Sequence, residues 1–383
     1  MIWPFHRFRD HRSEERPSRP SADASPPPRT WRLLQVESAL ACNLACIMCP
    51  WRAEAGRSDG AGLMDDRVWA AIRPWLSEVD VLDFTGGGEP LLQPHLADWI
   101  RDAAGAGCRP GLLTNGTLLD ADRRQALVEA GLDWIGFSLD GATADVYEAV
   151  RPGADFRTVC DRIAGMAALK QHGRPRVMLN FVMMTVNIHQ LSDMVALADA
   201  LGVDRLTLKQ CDVIRPANRT RLELYDRHRS RAVRDHGKAL QKARRLAERR
   251  GLELATFAFQ PDELPVCAQD PVHSLFVARD GRVAPCIGLA YGGDTRFFGE
   301  PATMPPLVFG RLPDPDLMTI WQSTAYAEFR QRFGQREAAY STVLARSQFE
   351  PSLIKLEEAF TAARDAMPRA PEPCRICHYL YGV

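Results

Sequence analysis

Short runs rich in apolar residues recur through the first two thirds of the chain, separated by longer stretches of mixed polarity. Trp31 to Glu37 alternates apolar and polar residues, and this period of two predicts a strand. Five further strands are predicted at Val79 to Thr85, Arg109 to Thr114, Trp134 to Leu139, Arg176 to Met184 and Arg205 to Lys209. Each run is short and ends in turn-forming residues, as buried strands usually do.

The stretches between these runs predict helices. They lie at Asp65 to Ser77 with Asp65 as the N-cap, His95 to Ala106, Ala121 to Ala130, Phe156 to His172, and Leu191 to Leu201. Strands that alternate with helices favour a parallel sheet made of βα units, and about six units are present. Six units are too few for the closed eightfold barrel. We therefore predict an α/β fold with an open, partial (βα)6-type barrel.

Two segments of this part of the chain lack an apolar face. Residues 1–29 are rich in Arg, Pro and Ser, cannot bury enough apolar surface to order themselves, and are predicted to form a disordered tail. Arg219 to Arg250 predicts a long polar helix with a solvated, charge-paired face, and recruitment of an acidic partner is the alternative.

Charge balance, the lack of long apolar runs and the grouping of cysteines limit the kinds of function that the chain can have. The chain has 48 basic and 48 acidic residues, so its formal net charge is zero and does not favour binding to nucleic acid or to a membrane surface. No apolar run is long enough to cross a bilayer, and no secretory signal begins the chain. Because the ten cysteines cluster without such a signal, we expect a reducing, cytoplasmic compartment and metal binding rather than disulfides.

Three of these cysteines, Cys42, Cys46 and Cys49, directly follow the first strand with spacings of three and two residues. Thiolates at this spacing can hold one soft metal centre. A 4Fe–4S cube has four irons, so three cysteines leave one iron for a ligand that is not protein. Structural zinc is the alternative, but it usually takes two cysteine pairs and no second pair is nearby; three buried core thiols are a further alternative.

A glycine run, Gly86 to Glu89 with Pro90, follows the second strand. Glycine lets a backbone approach a ligand closely. The carboxyl ends of parallel strands share one edge of a sheet, so we expect this run and the cysteine loop to meet there.

The Cys-x3-Cys-x2-Cys run resembles that of the radical S-adenosylmethionine (SAM) superfamily, although Met48 stands where an aromatic residue is common. The Gly-Gly-Glu-Pro element within the glycine run fits the same family. The resemblance implies a partial barrel, a 4Fe–4S cluster whose open iron binds SAM, and a 5′-deoxyadenosyl radical that abstracts a substrate hydrogen atom. It also implies SAM contacts from Gly87, Gly88, Glu89, Asn115, Ser138, Asp140 and Arg151. Turn chemistry or a surface salt bridge is the alternative for each of these taken alone.

Four more cysteines, Cys267, Cys286, Cys374 and Cys377, lie in the C-terminal third. Ser274 to Val277 followed by Asp280-Gly281 predicts a hairpin, which would bring the first two cysteines together. Spacing alone leaves zinc and iron–sulfur equally open.

The arrangement Cys-x13-Gly-x4-Cys followed by Cys-x2-Cys is similar to the twitch domain, a shortened SPASM extension of radical SAM enzymes. This resemblance implies a core domain at 30–250 and a small β-hairpin and helical domain at 251–383. A mostly helical insertion at 321–367 departs from the resemblance, because twitch domains are shorter here. The resemblance also implies one auxiliary 4Fe–4S cluster that serves electron transfer, with His378 as an alternative ligand. The insertion either covers the substrate cavity or packs outside it.

Together, the two resemblances imply a radical SAM enzyme that performs a two-electron oxidation or cross-linking of a small molecule or a peptide. The auxiliary cluster would accept an electron, and a low-potential donor such as flavodoxin or ferredoxin would supply the first one. No peptide-recognition domain precedes Trp31, which slightly favours a small molecule. Asn180 and Lys209 are expected to point into the barrel towards the substrate.

Two other functions stay open at this point. Cys211, at the end of the sixth strand, could return a hydrogen atom and make the reaction a redox-neutral epimerisation. The chain could also be a non-catalytic metal-binding scaffold. Cys108 and Cys160 are expected to be small buried apolar residues.

Overall fold

The computed structural model describes residues 29–51, 62–211, 222–224, 230–257, 261–346 and 353–382. The predicted N-terminal tail, except Arg29, lies outside the described residues, as does most of the start of the predicted polar helix. Within the described part of the chain, no helix is long and apolar enough to cross a membrane.

A parallel sheet forms the centre of the molecule. Its seven strands in chain order are β1 (Trp31–Val36), β2 (Val79–Asp83), β3 (Arg109–Thr114), β4 (Trp134–Ser138), β5 (Arg176–Met183), β6 (Arg205–Gln210) and β7 (Glu253–Thr256). Each strand pairs in parallel with the next. The six predicted strands are therefore all present, and the predicted partial barrel is confirmed. β7 was not predicted, because four residues are too few to show a period.

Helices connect the strands and cover the sheet. They are α1 (Asp66–Ile72), α2 (Leu96–Gly105), α3 (Ala121–Glu129), α4 (Ala144–Val150), α5 (Phe156–Ala168), α6 (Leu191–Ala200) and α7 (Ser230–Arg250). Asp65 caps α1 by accepting a hydrogen bond from the amide of Arg67, as predicted. The prediction that this helix continues to Ser77 is wrong, because a 3₁₀ helix with Pro74 in its first turn replaces it from Arg73. The short helix α4 was also missed.

The C-terminal region adds strands to the same sheet. They are β8 (Ser274–Val277), β9 (Arg282–Ala284) and β12 (Gly310–Arg311), while β10 (Gly293–Phe297) and β11 (Glu300–Met304) form a separate hairpin. The predicted hairpin is present as β8 and β9. Its turn uses Gly281 at φ 85°, a backbone conformation that glycine adopts without strain. β8 pairs in parallel with β1, so the C-terminal hairpin continues the barrel sheet.

The segment predicted to be a helical insertion contains helices in its described residues. Its helices are α9 (Leu317–Gln322), α10 (Thr324–Arg346) and α11 (Leu353–Asp365), and α8 (Ile287–Tyr291) precedes them. A buried guanidinium on α10 fixes its place: Arg336 donates hydrogen bonds to the carbonyls of Pro265, Leu264 and Pro368. The insertion is thereby held against the segments next to Cys267 and Cys374.

Candidate active site

A cavity of about 220 Å³ lies at the carboxyl ends of the parallel strands. Predicted site residues that line it are Cys42, Cys46, Cys49, Gly87, Gly88, Glu89, Asn115, Ser138, Arg151, Asn180, Lys209 and Cys211. The two motifs that follow β1 and β2 therefore share one cavity wall with the substrate-side candidates. Of the predicted SAM contacts, Asp140 does not line the cavity. Among the described residues, the lining includes none from α9, α10 or α11, so this part of the insertion packs outside.

The cysteine loop is fixed by backbone and side-chain contacts. The amide of Ile47 donates to the carbonyl of Val150 over 3.0 Å, which attaches the loop to the end of α4. Asn115 Nδ2 lies 4.0 Å from the sulfur of Cys42. Burial, Glu89 and the two neighbouring thiols together raise the pKa of the Cys42 thiol to about 11. A bound cationic metal centre reverses such a shift, because it stabilises the thiolate.

A buried ion pair positions a positive charge beside this loop. Both Arg151 Nε, at 2.7 Å, and a terminal nitrogen, at 2.5 Å, donate to one oxygen of Asp140, which is fully buried. The other oxygen accepts from the amide of Val182 over 2.6 Å. The remaining terminal nitrogen of Arg151 lies 3.4 Å from the sulfur of Cys46. Burial acts to lower the pKa of Arg151, but Asp140 and Cys46 outweigh it and raise that pKa, so the guanidinium stays charged.

The glycine run is hydrogen-bonded directly to the cysteine loop. The amide of Gly88 donates to the carbonyl of Ala39 over 3.1 Å, and that of Glu89 donates to Ala41 over 2.8 Å. The buried carboxylate of Glu89 accepts from the hydroxyl of Thr114 over 2.6 Å and from the amide of Asn115 over 2.8 Å. Glu89 thus links the ends of β1, β2 and β3 into one rigid edge.

Gly88 should tolerate no side chain, because a Cβ at this position would lie 2.2 Å from the carbonyl oxygen of Ala41. We expect Gly88→Ala to lower the free energy of unfolding by about 2 kcal/mol, since backbone must move to relieve the overlap. The matched control is Gly334→Ala in α10, where a Cβ meets nothing within 4 Å. That change should instead stabilise the protein by about 0.5 to 1 kcal/mol through helix propensity. Denaturant unfolding of both variants tests the pair, and equal values for the two would contradict it.

On the substrate side, the structure adds a residue that the sequence did not single out. Lys209 donates a hydrogen bond to the hydroxyl of Tyr379, and its ammonium also lies 4.7 Å from the centre of that ring. Tyr379 lines the cavity, although it lies at the far end of the chain. The one sequence feature that could have pointed to Tyr379 as a site residue is its position two residues after Cys377. Cys211 is buried against Val150 and Met184.

A second, smaller cavity of about 60 Å³ is lined by Cys267, Cys286, Cys374 and Cys377. The two distant cysteine pairs therefore converge. Burial, with the like charges of Cys377 and Cys286, raises the pKa of the Cys267 thiol well above its usual value. Four thiols around one small space fit a metal centre, because a cationic centre stabilises the thiolates against both desolvation and their mutual repulsion.

His378 lies in the wall of this second cavity and is buried. Its Nε2 accepts a hydrogen bond from the amide of Phe298 over 3.3 Å, and its ring packs edge-on against that of Phe298. The Nε2 atom of His378 is therefore already engaged in a hydrogen bond within the protein.

The two cavities are neighbours. Ile287, Gly288 and Tyr379 line both of them. Within the described ranges, no three His, Cys, Asp or Glu side chains are placed to hold a single metal ion.

Comparison with known proteins identifies the class. The radical SAM superfamily profile matches residues 36–198, and the SPASM iron–sulfur cluster-binding domain matches residues 267–342. The chain is 31% identical over 299 residues to the PqqA peptide cyclase of Ruegeria pomeroyi, covering 76% of this chain and 73% of that protein. It therefore belongs to the radical SAM superfamily, among members that carry a SPASM domain.

Two other relatives extend this comparison. The tungsten-containing aldehyde ferredoxin oxidoreductase cofactor-modifying protein of Pyrococcus furiosus is 26% identical over 309 residues, covering 78% of this chain and 83% of that protein. The crystal structure of SuiB from Streptococcus suis bound to S-adenosylmethionine superposes with a TM-score of 0.59 at 14% identity. This match covers 78% of this chain and 67% of SuiB, and it shows the shared fold.

Membership in this family implies its cofactors, which are a 4Fe–4S cluster with SAM and auxiliary iron–sulfur ligation in the SPASM domain. The donor sets of this chain fit them. The larger cavity joins three thiols to a fixed guanidinium, and four thiols line the smaller one.

Proposed function

We propose that this radical SAM enzyme oxidises its substrate by two electrons, forming a cross-link or a dehydrogenated product, with the auxiliary cluster accepting the second electron. The observation that carries the proposal is the shared wall between the two thiol-lined cavities, made by Ile287, Gly288 and Tyr379. A substrate in the larger cavity would be separated from the auxiliary centre by a single layer of side chains.

The cysteines divide into two ligand sets in this proposal. The SAM-binding cluster is assigned to Cys42, Cys46 and Cys49, which leaves one iron open for SAM. The auxiliary cluster is assigned to Cys267, Cys286, Cys374 and Cys377. Four thiolates saturate a cube, so the auxiliary cluster would transfer electrons rather than bind substrate.

Side chains of the larger cavity would position SAM. Arg151 supplies a fixed positive charge beside Cys46, where the SAM carboxylate would bind, because a guanidinium matches a carboxylate. Asp140 acts behind it, as the residue that holds Arg151 in place. The remaining contacts with SAM are assigned to Gly87, Gly88, Glu89, Asn115 and Ser138, all in the cavity wall.

When bound, the cluster and SAM supply a 5′-deoxyadenosyl radical, which takes one hydrogen atom from the substrate. The substrate would then release one proton to solvent and pass one electron to the auxiliary cluster, so two electrons leave it in total. Lys209 and Asn180, both in the cavity wall, are the candidates for holding the substrate in this geometry.

A peptide is the substrate class that we favour, because the relative from Ruegeria pomeroyi is named a peptide cyclase and is similar over most of its length. A small molecule is the alternative. The first electron would come from a low-potential donor such as flavodoxin or ferredoxin.

The test uses the full chain, reconstituted anaerobically with iron and sulfide. Dithionite and SAM should yield 5′-deoxyadenosine and a SAM-dependent change in the paramagnetic spectrum of the reduced protein. Peptides encoded by neighbouring genes should lose two mass units on turnover. Absence of both 5′-deoxyadenosine and the spectral change would favour a non-catalytic metal-binding scaffold.

Epimerisation is the second candidate, because Cys211 is buried and lines the cavity where it would face a substrate radical. The variant Cys211→Ala separates the two reactions. Oxidation predicts that the loss of two mass units persists in this variant. Epimerisation predicts a product of unchanged mass in the wild type and its loss in the variant. Cys160→Ala, outside the cavity wall, is the control.

A further inference from the structure

Glu37 is a fully buried carboxylate that the assignments above do not use. It follows β1 directly and precedes the cysteine loop. Three donors from three separate segments point at it. The amide of Gly87 donates to Oε1 over 2.9 Å, the amide of Arg279 donates to Oε2 over 3.2 Å, and the hydroxyl of Tyr291 donates to Oε2. A carboxylate oxygen accepts hydrogen bonds, so all three donors match it. Burial raises the pKa of Glu37, and these three hydrogen bonds act against that shift.

The first of these bonds orients a peptide group of the cavity wall. A trans peptide is planar, so an amide of Gly87 that points at Glu37 directs the carbonyl of Gly86 the opposite way. Gly86 and Gly87 line the larger cavity, whereas Glu37 is not among its lining residues. The carboxylate therefore fixes the direction of a carbonyl at the edge that is assigned to SAM.

Gly86 itself is explained by the same contact. A Cβ at Gly86 would lie 2.2 Å from Cγ of Glu37, so the Glu37 side chain leaves room only for glycine. The Gly-Gly-Glu-Pro element of the family begins at Gly87, and its resemblance does not account for this extra glycine. The additional glycine is needed for the Glu37 side chain to reach the edge.

The other two bonds lead into the C-terminal region. Arg279 lies between β8 and β9, and Tyr291 ends α8, the helix that starts directly after Cys286. The ring of Tyr291 also contacts that of Trp51, with centroids 5.5 Å apart, and Trp51 lines the larger cavity. A single carboxylate thus joins the glycine run to the segments that carry an auxiliary cysteine.

We propose that Glu37 is a positioning residue that sets the direction of the Gly86 carbonyl for SAM and holds the SAM-binding edge in register with the auxiliary-cluster region through Arg279 and Tyr291. The inference rests on the proposed SAM contacts of the glycine run. Beyond those contacts, it identifies Glu37 as the group that positions the glycine run and that connects this run to the region of the second cluster.

The test compares Glu37→Gln and Tyr291→Phe with Tyr326→Phe in reconstituted protein. Tyr326 is also a buried tyrosine of the C-terminal region, but its hydroxyl reaches only the carbonyl of Ala284, at 3.4 Å. We expect Glu37→Gln to weaken SAM binding about tenfold and Tyr291→Phe about threefold, in keeping with the loss of hydrogen bonds to a buried charge. Iron content should stay the same in all three, and Tyr326→Phe should bind SAM like the wild type.

A second readout needs neither SAM nor turnover. In protein without clusters, amide hydrogen exchange of residues 86–89 should be faster in Glu37→Gln and Tyr291→Phe than in Tyr326→Phe. Faster exchange supports the positioning role of Glu37 whether or not the wild type binds SAM. Failure of the wild type to bind SAM would overturn the proposed function and not this inference. The inference would be overturned if Tyr291→Phe and Tyr326→Phe had equal exchange rates and equal SAM affinities. This comparison decides the test even if Glu37→Gln does not fold.

Discussion

Replacing Cys42, Cys46 and Cys49 together by alanine should abolish 5′-deoxyadenosine formation while leaving the second cluster in place. Each sulfur lines the larger cavity, and none lines the smaller one. Iron should fall from about eight atoms per chain to about four, the content of one 4Fe–4S cube. The SAM-dependent change in the paramagnetic spectrum should disappear with it. Iron analysis and product chromatography measure both effects.

Cys108→Ala is the matched control for this experiment. Cys108 is buried in the main core, where its thiol donates to the carbonyl of Leu76 over 3.0 Å, and it lines neither cavity. The control should keep its full iron content and its activity. A triple variant that retains eight irons, or that still cleaves SAM, would remove the basis for assigning this loop to the first cluster.

Replacing Cys374 and Cys377 by alanine should separate SAM cleavage from substrate oxidation. The pair contributes two of the four thiols around the smaller cavity, so the auxiliary cluster should be lost and about four irons should remain. Because the first site is intact, 5′-deoxyadenosine should still form when substrate is present. The oxidised product should fall to background, since the substrate has lost its electron acceptor.

The ratio of 5′-deoxyadenosine to product is the measurement that decides this second experiment. It should be near one in the wild type and rise steeply in the double variant. A double variant that loses four irons yet makes product in the wild-type ratio would show that the auxiliary cluster takes no electron from the substrate. Cys160→Ala serves as the control, because Cys160 lines neither cavity.

The sequence predicted those features of the molecule that repeat or that follow a fixed spacing. The period of two in β1, the short runs that form β2 to β6 and the helical stretches between them were sufficient for the partial barrel. The positions of Cys42 and Gly88 directly after strands were sufficient to bring both motifs to one edge. The Asp-Gly turn predicted the hairpin around Gly281.

Features that depend on distant pairing were not visible in the sequence. Nothing local in Ser274–Val277 indicates that β8 pairs with β1, and Tyr379 reaches Lys209 only because the whole chain has folded. Asp140 was expected to contact SAM, whereas in the structure it pairs with Arg151. The local sequence around a carboxylate at the end of a strand does not show whether that carboxylate binds a ligand or an arginine. Glu37 was predicted only as the last residue of the first strand, because its partners Arg279 and Tyr291 lie far away in the sequence.

The pairing of β8 with β1 has a consequence for how the protein is made. The outer edge of β1 lacks its partner until the last third of the chain has left the ribosome, so one of the first strands to be synthesised is completed by one of the last. Such non-local pairing slows folding and leaves an unpaired strand edge on the nascent protein, the kind of surface on which aggregation begins. Chaperones that shield nascent chains should therefore raise the yield of this protein more than they raise that of a barrel closed by neighbouring strands.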